Sequence, residues 1–302
     1  MTINVRGKAP TKHGERTRSD MTASPMQTSL LTQIGLASDA SPHAQSAAHT
    51  ARGASIDPGS IARSRIEPGD AVALLRRLPD ASVDAIVTDP AYESLEKHRA
   101  IGTTTRLKHS KSSSNDWFSI FPNARFPEFF SEAFRVLKKH AHLYLYCDQE
   151  TMFVAKPIAE EHGFKLWKPL VWDKVAIGMG YHYRSRYELV LFFEKGKRKL
   201  HDLGVPDVLV HSRIHRGYPS EKPAAISRVL IRQSTEPGAL IVDPFSGSGS
   251  VGVAAVSLGR RFLGGDVCRE ACEVAAARIA ETETGNAPDD LDVTRRKKHE
   301  DT

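Results

Sequence analysis

The sequence predicts an α/β fold built on a doubly wound, mainly parallel sheet. Three observations carry that prediction. Short apolar runs suited to buried strands alternate with helical stretches through residues 63–282. Two of those runs end in an acid followed by proline, at Asp89-Pro90 and at Asp243-Pro244. The second opens a glycine-rich turn, Asp243-Pro244-Phe245-Ser246-Gly247-Ser248-Gly249-Ser250, set between an apolar run at 239–242 and small apolar residues at 251–256. Strand, glycine turn and helix together let bare backbone approach a nucleotide-like ligand.

Taken in order, residues 1–62 are rich in Ser, Thr, Ala, Gly, His and Arg without sustained periodicity and read as a flexible leader. Folding is expected to begin near Ile61. After Gly69-Asp70, apolar positions recur at helical spacing over 71–78, and Pro79-Asp80 ends that helix. Residues 83–88 form an apolar strand running into Asp89-Pro90-Ala91-Tyr92. Residues 93–122 are polar and basic, with Arg99, Arg106, Lys108 and Lys111, and so long a loop is expected to be functional or disordered. A helix over 126–139, a strand over 142–147 ending at Asp148, a helix over 149–162 and a strand around 170–172 follow. A loop at 178–181 precedes a β-prone strand over 187–193. Residues 194–220 are basic, with Lys197, Arg198, Arg213 and Arg216 among them. Pro223 suits the first turn of a helix to about 233. The glycine turn comes next, then a strand over 261–265 ending at Asp266 and an Ala-rich helix over 269–280. Residues 283–302 decay into a charged tail.

The chain has 302 residues, a net charge of +6 and a pI near 9.2, which permits a polyanionic partner. No apolar run approaches the roughly 18 residues of a membrane span. Cys147, Cys268 and Cys272 have neither metal-binding nor disulfide spacing, and reduced thiols in the cytoplasm are the simplest account.

The chemistry gathers at the two acids. The glycine turn lacks the Gly-Lys-Ser/Thr of a phosphate-binding loop, and Asp243 at the strand end repels phosphate while welcoming a cation. Asp266, some twenty residues on, stands where such folds place a ribose acceptor. A cationic adenosine ligand is S-adenosylmethionine. The bland alternative is a tight turn in an ordinary α/β domain. Asp89, the Pro90 carbonyl and the Tyr92 ring suit a flat base with an exocyclic amine, though Asp-Pro is also common turn chemistry. Hydrogen bonds from such an amine to Asp89 and Pro90 expose its lone pair, and Tyr92 stacks on the base.

Together these stretches resemble the S-adenosylmethionine-dependent amino-methyltransferases of DNA, which modify adenine N6 or cytosine N4. Asp89-Pro90-Ala91-Tyr92 matches the catalytic signature (D/N/S)-P-P-(Y/F), with Ala91 in place of the second proline. Residues 243–250 match the cofactor signature D-P-F-x-G-S-G-(T/S) throughout. Catalytic before cofactor is the permuted order of the β class. Ser220-Glu221-Lys222-Pro223 resembles the family's T-E-K-P box, and the strand beginning at Glu188 resembles its late-strand motif. The resemblance covers residues 66–282 and implies a Rossmann-like methyltransferase fold. It assigns catalysis to Asp89, Pro90 and Tyr92. Cofactor binding falls to Asp70, Lys222, Asp243, Phe245, Ser246, Gly247, Gly249 and Asp266. No metal is implied. Double-stranded DNA is the implied partner, with the 93–122 loop and a small inserted target-recognition region at 194–220 as its contacts. The DNA-binding candidates are Arg99, Arg106, Lys108, Lys111, Lys197, Arg198, Arg213 and Arg216. A homodimer on a short symmetric site, and association with DNA in the cytoplasm, follow as expectations. The acid at position 89 favours adenine N6, since cytosine-N4 enzymes more often carry serine there. A cytosine-N4 enzyme, a silent DNA-binding homologue and an RNA substrate stay open at this level.

Overall fold

The structure, a computed structural model, describes residues 53–94, 119–178, 182–214 and 221–285. All lie in the second of two compact units, 51–302. Eight strands form one sheet: β1 (Ser64–Pro68), β2 (Val83–Thr88), β3 (Leu137–Cys147), β4 (Lys165–Asp173), β5 (Tyr187–Glu194), β6 (Val208–Val210), β7 (Leu240–Asp243) and β8 (Arg261–Asp266). Their order is β1-β8-β7-β2-β3-β5-β4-β6. Only β5 runs against its neighbours β3 and β4; the other pairs are parallel. The mainly parallel sheet is the one the sequence predicts.

Among the described residues, three helices cover each face. α1 (Ala71–Arg76), α2 (Phe126–Val136) and α3 (Gln149–Glu161) pack on one, and α4 (Ala224–Ser234), α5 (Ser250–Ser257) and α6 (Arg269–Glu283) on the other. Alternation along the strands explains the double cover. Leu143, Leu145 and Cys147 of β3 face the first helix layer, while Tyr144 and Tyr146 face the second. With both sides buried, the central strands read as continuous apolar runs. α2 contributes Phe126, Phe129 and Phe130, which meet Phe121, Phe164, Phe193 and Phe245 mostly edge to face. Each such pair adds roughly 0.5–1.5 kcal/mol beyond its buried area.

Several boundaries differ from the sequence reading. The structured part begins before residue 63, because Ile56 and Ile61 are 1 % and 3 % exposed and Ile56 N–H bonds to the Arg77 carbonyl. β1 escaped prediction because Ser64-Arg65-Ile66-Glu67-Pro68 carries one large apolar residue, as an edge strand can. β3 starts at Leu137, so α2 stops at Val136. β6 lies inside the stretch read as a basic insertion, paired along β4. Pro223 is the N-cap of α4 and not its first-turn residue. The last helix runs on to Glu283, whose carboxylate accepts from Ser64 Oγ. Residues 1–52, 95–118, 179–181, 215–220 and 286–302 lie outside the described residues, and with them most of the leader, the bulk of the 93–122 loop and nearly all of the tail. No described helix is long and apolar enough to cross a membrane.

Candidate active site

Parallel strands align their carboxyl ends, and both predicted poles stand at that edge. β2 ends at Thr88 and delivers Asp89; its neighbour β7 ends at Asp243. The two are directly linked, because Thr88 Oγ1 donates to Asp243 Oδ1 at 2.7 Å. Asp243 is 2 % exposed, and its other donor is the Phe245 N–H at 3.1 Å. Burial, opposed by those two hydrogen bonds and reinforced by Asp89 and Asp266, pushes its carboxyl up to about 7.

The two glycines of the turn do different work. Gly249 is left-handed (φ 80°) and caps α5, and a Cβ there would lie 2.7 Å from Ala275 Cβ on α6. That close approach, together with the positive φ, requires glycine. Gly247 (φ 47°) is also left-handed, but a Cβ there meets nothing within 4 Å. It borders open space, and its N–H donates to Asp266 Oδ2 at 2.9 Å. Asp266 Oδ1 accepts from Cys268 N–H at 2.9 Å, and burial raises its carboxyl above the ordinary value. Ser246 Oγ donates to the Asp243 carbonyl. The Phe245 ring meets Phe121 edge-on, 4.9 Å between centroids. Asp243, Phe245, Ser246, Gly247, Gly249 and Asp266 thus lie together at one edge of the sheet.

Asp70 is differently engaged. It caps α1, accepting from the Val72 and Ala73 N–H groups, and pairs with Arg125 at 2.6 Å and 3.0 Å. The Arg125 hydrogen bond is the largest influence on its carboxyl, which lies below the ordinary value. Arg125 in turn lies over the Phe121 ring, 5.2 Å from its centroid. Neither residue was singled out from sequence.

At the other pole, Tyr92 is 8 % exposed and its hydroxyl donates to Asp89 Oδ1 at 2.7 Å. Burial first, then Asp89, drives the phenol well above its ordinary value, so it stays a donor. The chain around it is pinned: Phe121 N–H donates to the Ala91 carbonyl at 2.8 Å, Asn123 N–H to Glu93 at 2.8 Å, and Ser94 Oγ to Asp148. The Ala91 carbonyl makes this bond whichever side chain stands at 91. Lys222 Nζ is 2.5 Å from Asp89 Oδ2 and 3.2 Å from Glu188 Oε2, and Lys174 Nζ is 2.5 Å from Glu188 Oε1. Lys222, which the resemblance assigns to cofactor binding, directs its ammonium to the acids Asp89 and Glu188. Burial disfavours the Lys222 charge, but Asp89 and Glu188 outweigh it and raise its pKa. Burial likewise opposes the Glu188 charge, and the two lysines outweigh it and lower its pKa. Glu188 and Lys174 were missed as individual residues; an acid opening an otherwise apolar strand was the available signal.

The basic candidates divide. Arg99, Arg106, Lys108, Lys111 and Arg216 lie outside the described residues. Arg213 follows β6 at the carboxyl edge, close to Gly178 and acting on the Lys174 charge. Lys197 and Arg198 lie at the opposite edge. Lys197 N–H donates to His140, and Arg198 lines a cleft with Asp84, Gly238 and Arg261 at the starts of β2, β7 and β8. The reason is topological: β5 is antiparallel, so the chain leaves it on the amino side.

A family model for DNA methylases, the N6/N4 methyltransferases, matches residues 83–277. The chain belongs to this family. Among the methylases it resembles is YhdJ of Escherichia coli (strain K12), a DNA adenine methyltransferase, 27 % identical over 254 residues covering 70 % of this chain and 81 % of YhdJ. The fold is shared with two solved structures. One is the M1.HpyAVI–SAM complex (TM-score 0.52, 20 % identity, covering 71 % of this chain and 99 % of that one). The other is the cytosine-N4-specific PvuII DNA methyltransferase (TM-score 0.55, 18 % identity, covering 74 % and 93 %).

Proposed function

We propose that this DNA methylase transfers a methyl group from S-adenosylmethionine to the exocyclic N6 of adenine in a specific double-stranded sequence. The observation that carries the reading is the Thr88–Asp243 hydrogen bond, which joins the catalytic strand end to the cofactor strand end. A donor on one and an amine on the other are then neighbours. The residues present fit the methyl donor: the open space beside Gly247 admits it, Asp266 faces that opening, and Asp243 offers charge to a cation. Phe245, half-buried and backed by the buried Phe121, supplies apolar surface for a purine. When bound, S-adenosylmethionine supplies an electrophilic methyl on a sulfonium; the new N–C bond forms as the C–S bond breaks, its electron pair staying on sulfur.

The chain's own residues prepare the nucleophile. Adenine N6 is a weak nucleophile because its lone pair is delocalised into the ring. Asp89 and the Pro90 carbonyl accept its two N–H bonds, favour the tetrahedral nitrogen and aim the lone pair. After transfer the nitrogen sheds one proton to water. Because N6 is out of reach within the stack, the base is turned out of the duplex. Tyr92 flanks it while holding Asp89 in place. Arg213 contributes a phosphate contact at the same edge, together with the basic residues of 93–122 and Arg216. The short recognition region supports a homodimer on a symmetric site, to be checked by sedimentation of the DNA complex; a strictly monomeric complex would count against it.

Cytosine N4 is the second reading, favoured by the fold shared with the PvuII enzyme; the same two acceptors serve either amine. Single-molecule sequencing of DNA from cells expressing the wild type or Asp89→Ala tests both. Modified adenine at one short motif, absent in the variant, is the expected result. Modified cytosine would replace the target and keep the mechanism, and no modification of either base would sink the proposal.

A further inference from the structure

We infer that Lys222 is a positioning residue for Asp89, itself held in place by Glu188, and that it is not a contact of the methyl donor. The inference rests on Asp89 being the acid that receives the target amine. Each oxygen of that carboxylate has one fixed donor, Tyr92 Oη on Oδ1 at 2.7 Å and Lys222 Nζ on Oδ2 at 2.5 Å. Two donors on opposite oxygens stop rotation about the terminal torsion, which is otherwise broad for aspartate. One lone pair on each oxygen stays available, so the amine meets an acceptor already fixed in orientation.

Lys222 is in turn restrained from both ends. It precedes Pro223, which confines its backbone to extended conformations and keeps it out of α4. Its ammonium sits between Asp89 and Glu188, and Glu188 is held by Lys174. The four charges alternate in sign along Asp89, Lys222, Glu188 and Lys174 and sum to zero. Their side chains are only 9–25 % exposed, so little water screens them. Two of the three ammonium N–H directions are therefore spent on acids. The cofactor turn is gripped by the preceding residue instead: Arg278 pairs with Glu221 and donates to the Ser248 carbonyl at 2.7 Å. Adjacent residues of one short segment thus serve the two poles separately, Glu221 the glycine turn and Lys222 the catalytic acid.

The test uses full-length protein, tritiated S-adenosylmethionine and DNA from cells lacking the gene, with single-turnover transfer and calorimetric Kd for the methyl donor measured separately. Lys222→Met should slow transfer about 100-fold, the scale of a misplaced reacting group. Its Kd should stay within ~3-fold of wild type, under 1 kcal/mol. Ethylammonium should restore transfer to Lys222→Ala and not to Asp89→Ala, which a purely structural lysine would not produce. If Lys222→Met fails to fold, the Glu188→Gln/Lys222→Met pair provides the same readout, because it removes one charge of each sign and keeps the net charge of the group at zero. Unchanged transfer, or a loss located wholly in Kd, overturns the inference and leaves the methylase reading intact. A wild type that binds the donor but modifies no DNA overturns the reading of Asp89 and the inference with it.

Discussion

Asp89 and Asp243 end neighbouring strands, yet the protein surrounds them in opposite ways. Asp89 meets a phenol and an ammonium and is tied into an alternating run of four charges. Asp243 meets one hydroxyl and one backbone N–H in a nearly dry position, with the acids Asp89 and Asp266 as further neighbours. A lysine beside an acid offsets the loss of solvent; a hydroxyl does so only in part. The first acid is therefore fixed in orientation, as the proposed acceptor of an amine has to be. The second is left under-compensated, which is what the proposed role beside a cationic methyl donor requires. What distinguishes the poles is the partner each acid lacks.

The largest effect should come from removing the compensated acid. Asp89→Ala should lower single-turnover methyl transfer by more than ~100-fold, because the amine loses its orientation. Donor affinity should barely move, and full activity would break the assignment. Removing the under-compensated acid should act on binding instead. Asp243→Asn should raise the donor Kd by roughly 10-fold or more, the scale of a charged hydrogen bond. The same contrast carries a pH signature. With its carboxyl pushed up to about 7, Asp243 ionises as pH rises from 6 to 8. Wild-type donor Kd should tighten about tenfold over that interval, and Asp243→Asn should abolish the trend. Because the folded value is raised, this group's contribution to stability is fully present below the unfolded value near 4 and is lost as pH rises through about 7. The apo Asp243→Asn variant should lack that slope in denaturant titrations across the same window.

Smaller effects separate the two turn glycines. Gly249→Ala puts a methyl against Ala275 and should destabilise by roughly 1–3 kcal/mol. Gly247→Ala carries only the backbone strain of a left-handed residue, about 1 kcal/mol, and its main readout should be weaker donor binding. Equal melting losses in the two variants would erase the distinction. The smallest effect is expected at the basic residues. Arg213→Ala should reduce the salt dependence of DNA binding by about one unit of slope, whereas Lys197→Ala and Arg198→Ala should leave it unchanged.

Sequence reveals the parts of this molecule that local chemistry determines. Buried central strands announce themselves as apolar runs, and the glycine turn and the Asp-Pro stretch carry their geometry in a few consecutive residues. What sequence hides is set by distant neighbours. Nothing local to Lys222 says that its ammonium faces residue 89 and not the adjoining turn; that depends on where β5 places Glu188. Nothing in the basic run from 194 says that Lys197 and Arg198 emerge on the amino side, because charge density carries no information about strand direction. The edge strand β1 lacks the apolar density that marks the centre, and β6, apolar but only Val208-Leu209-Val210, is too short to stand out from the basic residues around it.

The reversed strand β5 has a consequence for how such an enzyme can vary. β4 and β5 are antiparallel and paired along their length, so the connection between Asp173 and Tyr187 begins and ends at the same place on the sheet. Its length and composition can change while Glu188 stays where the ladder holds it. Its first residue, Lys174, is tied to the site through Glu188. Beyond Lys174, residues can be added to or removed from that connection without shifting the strand ends that carry Asp89 and Asp243.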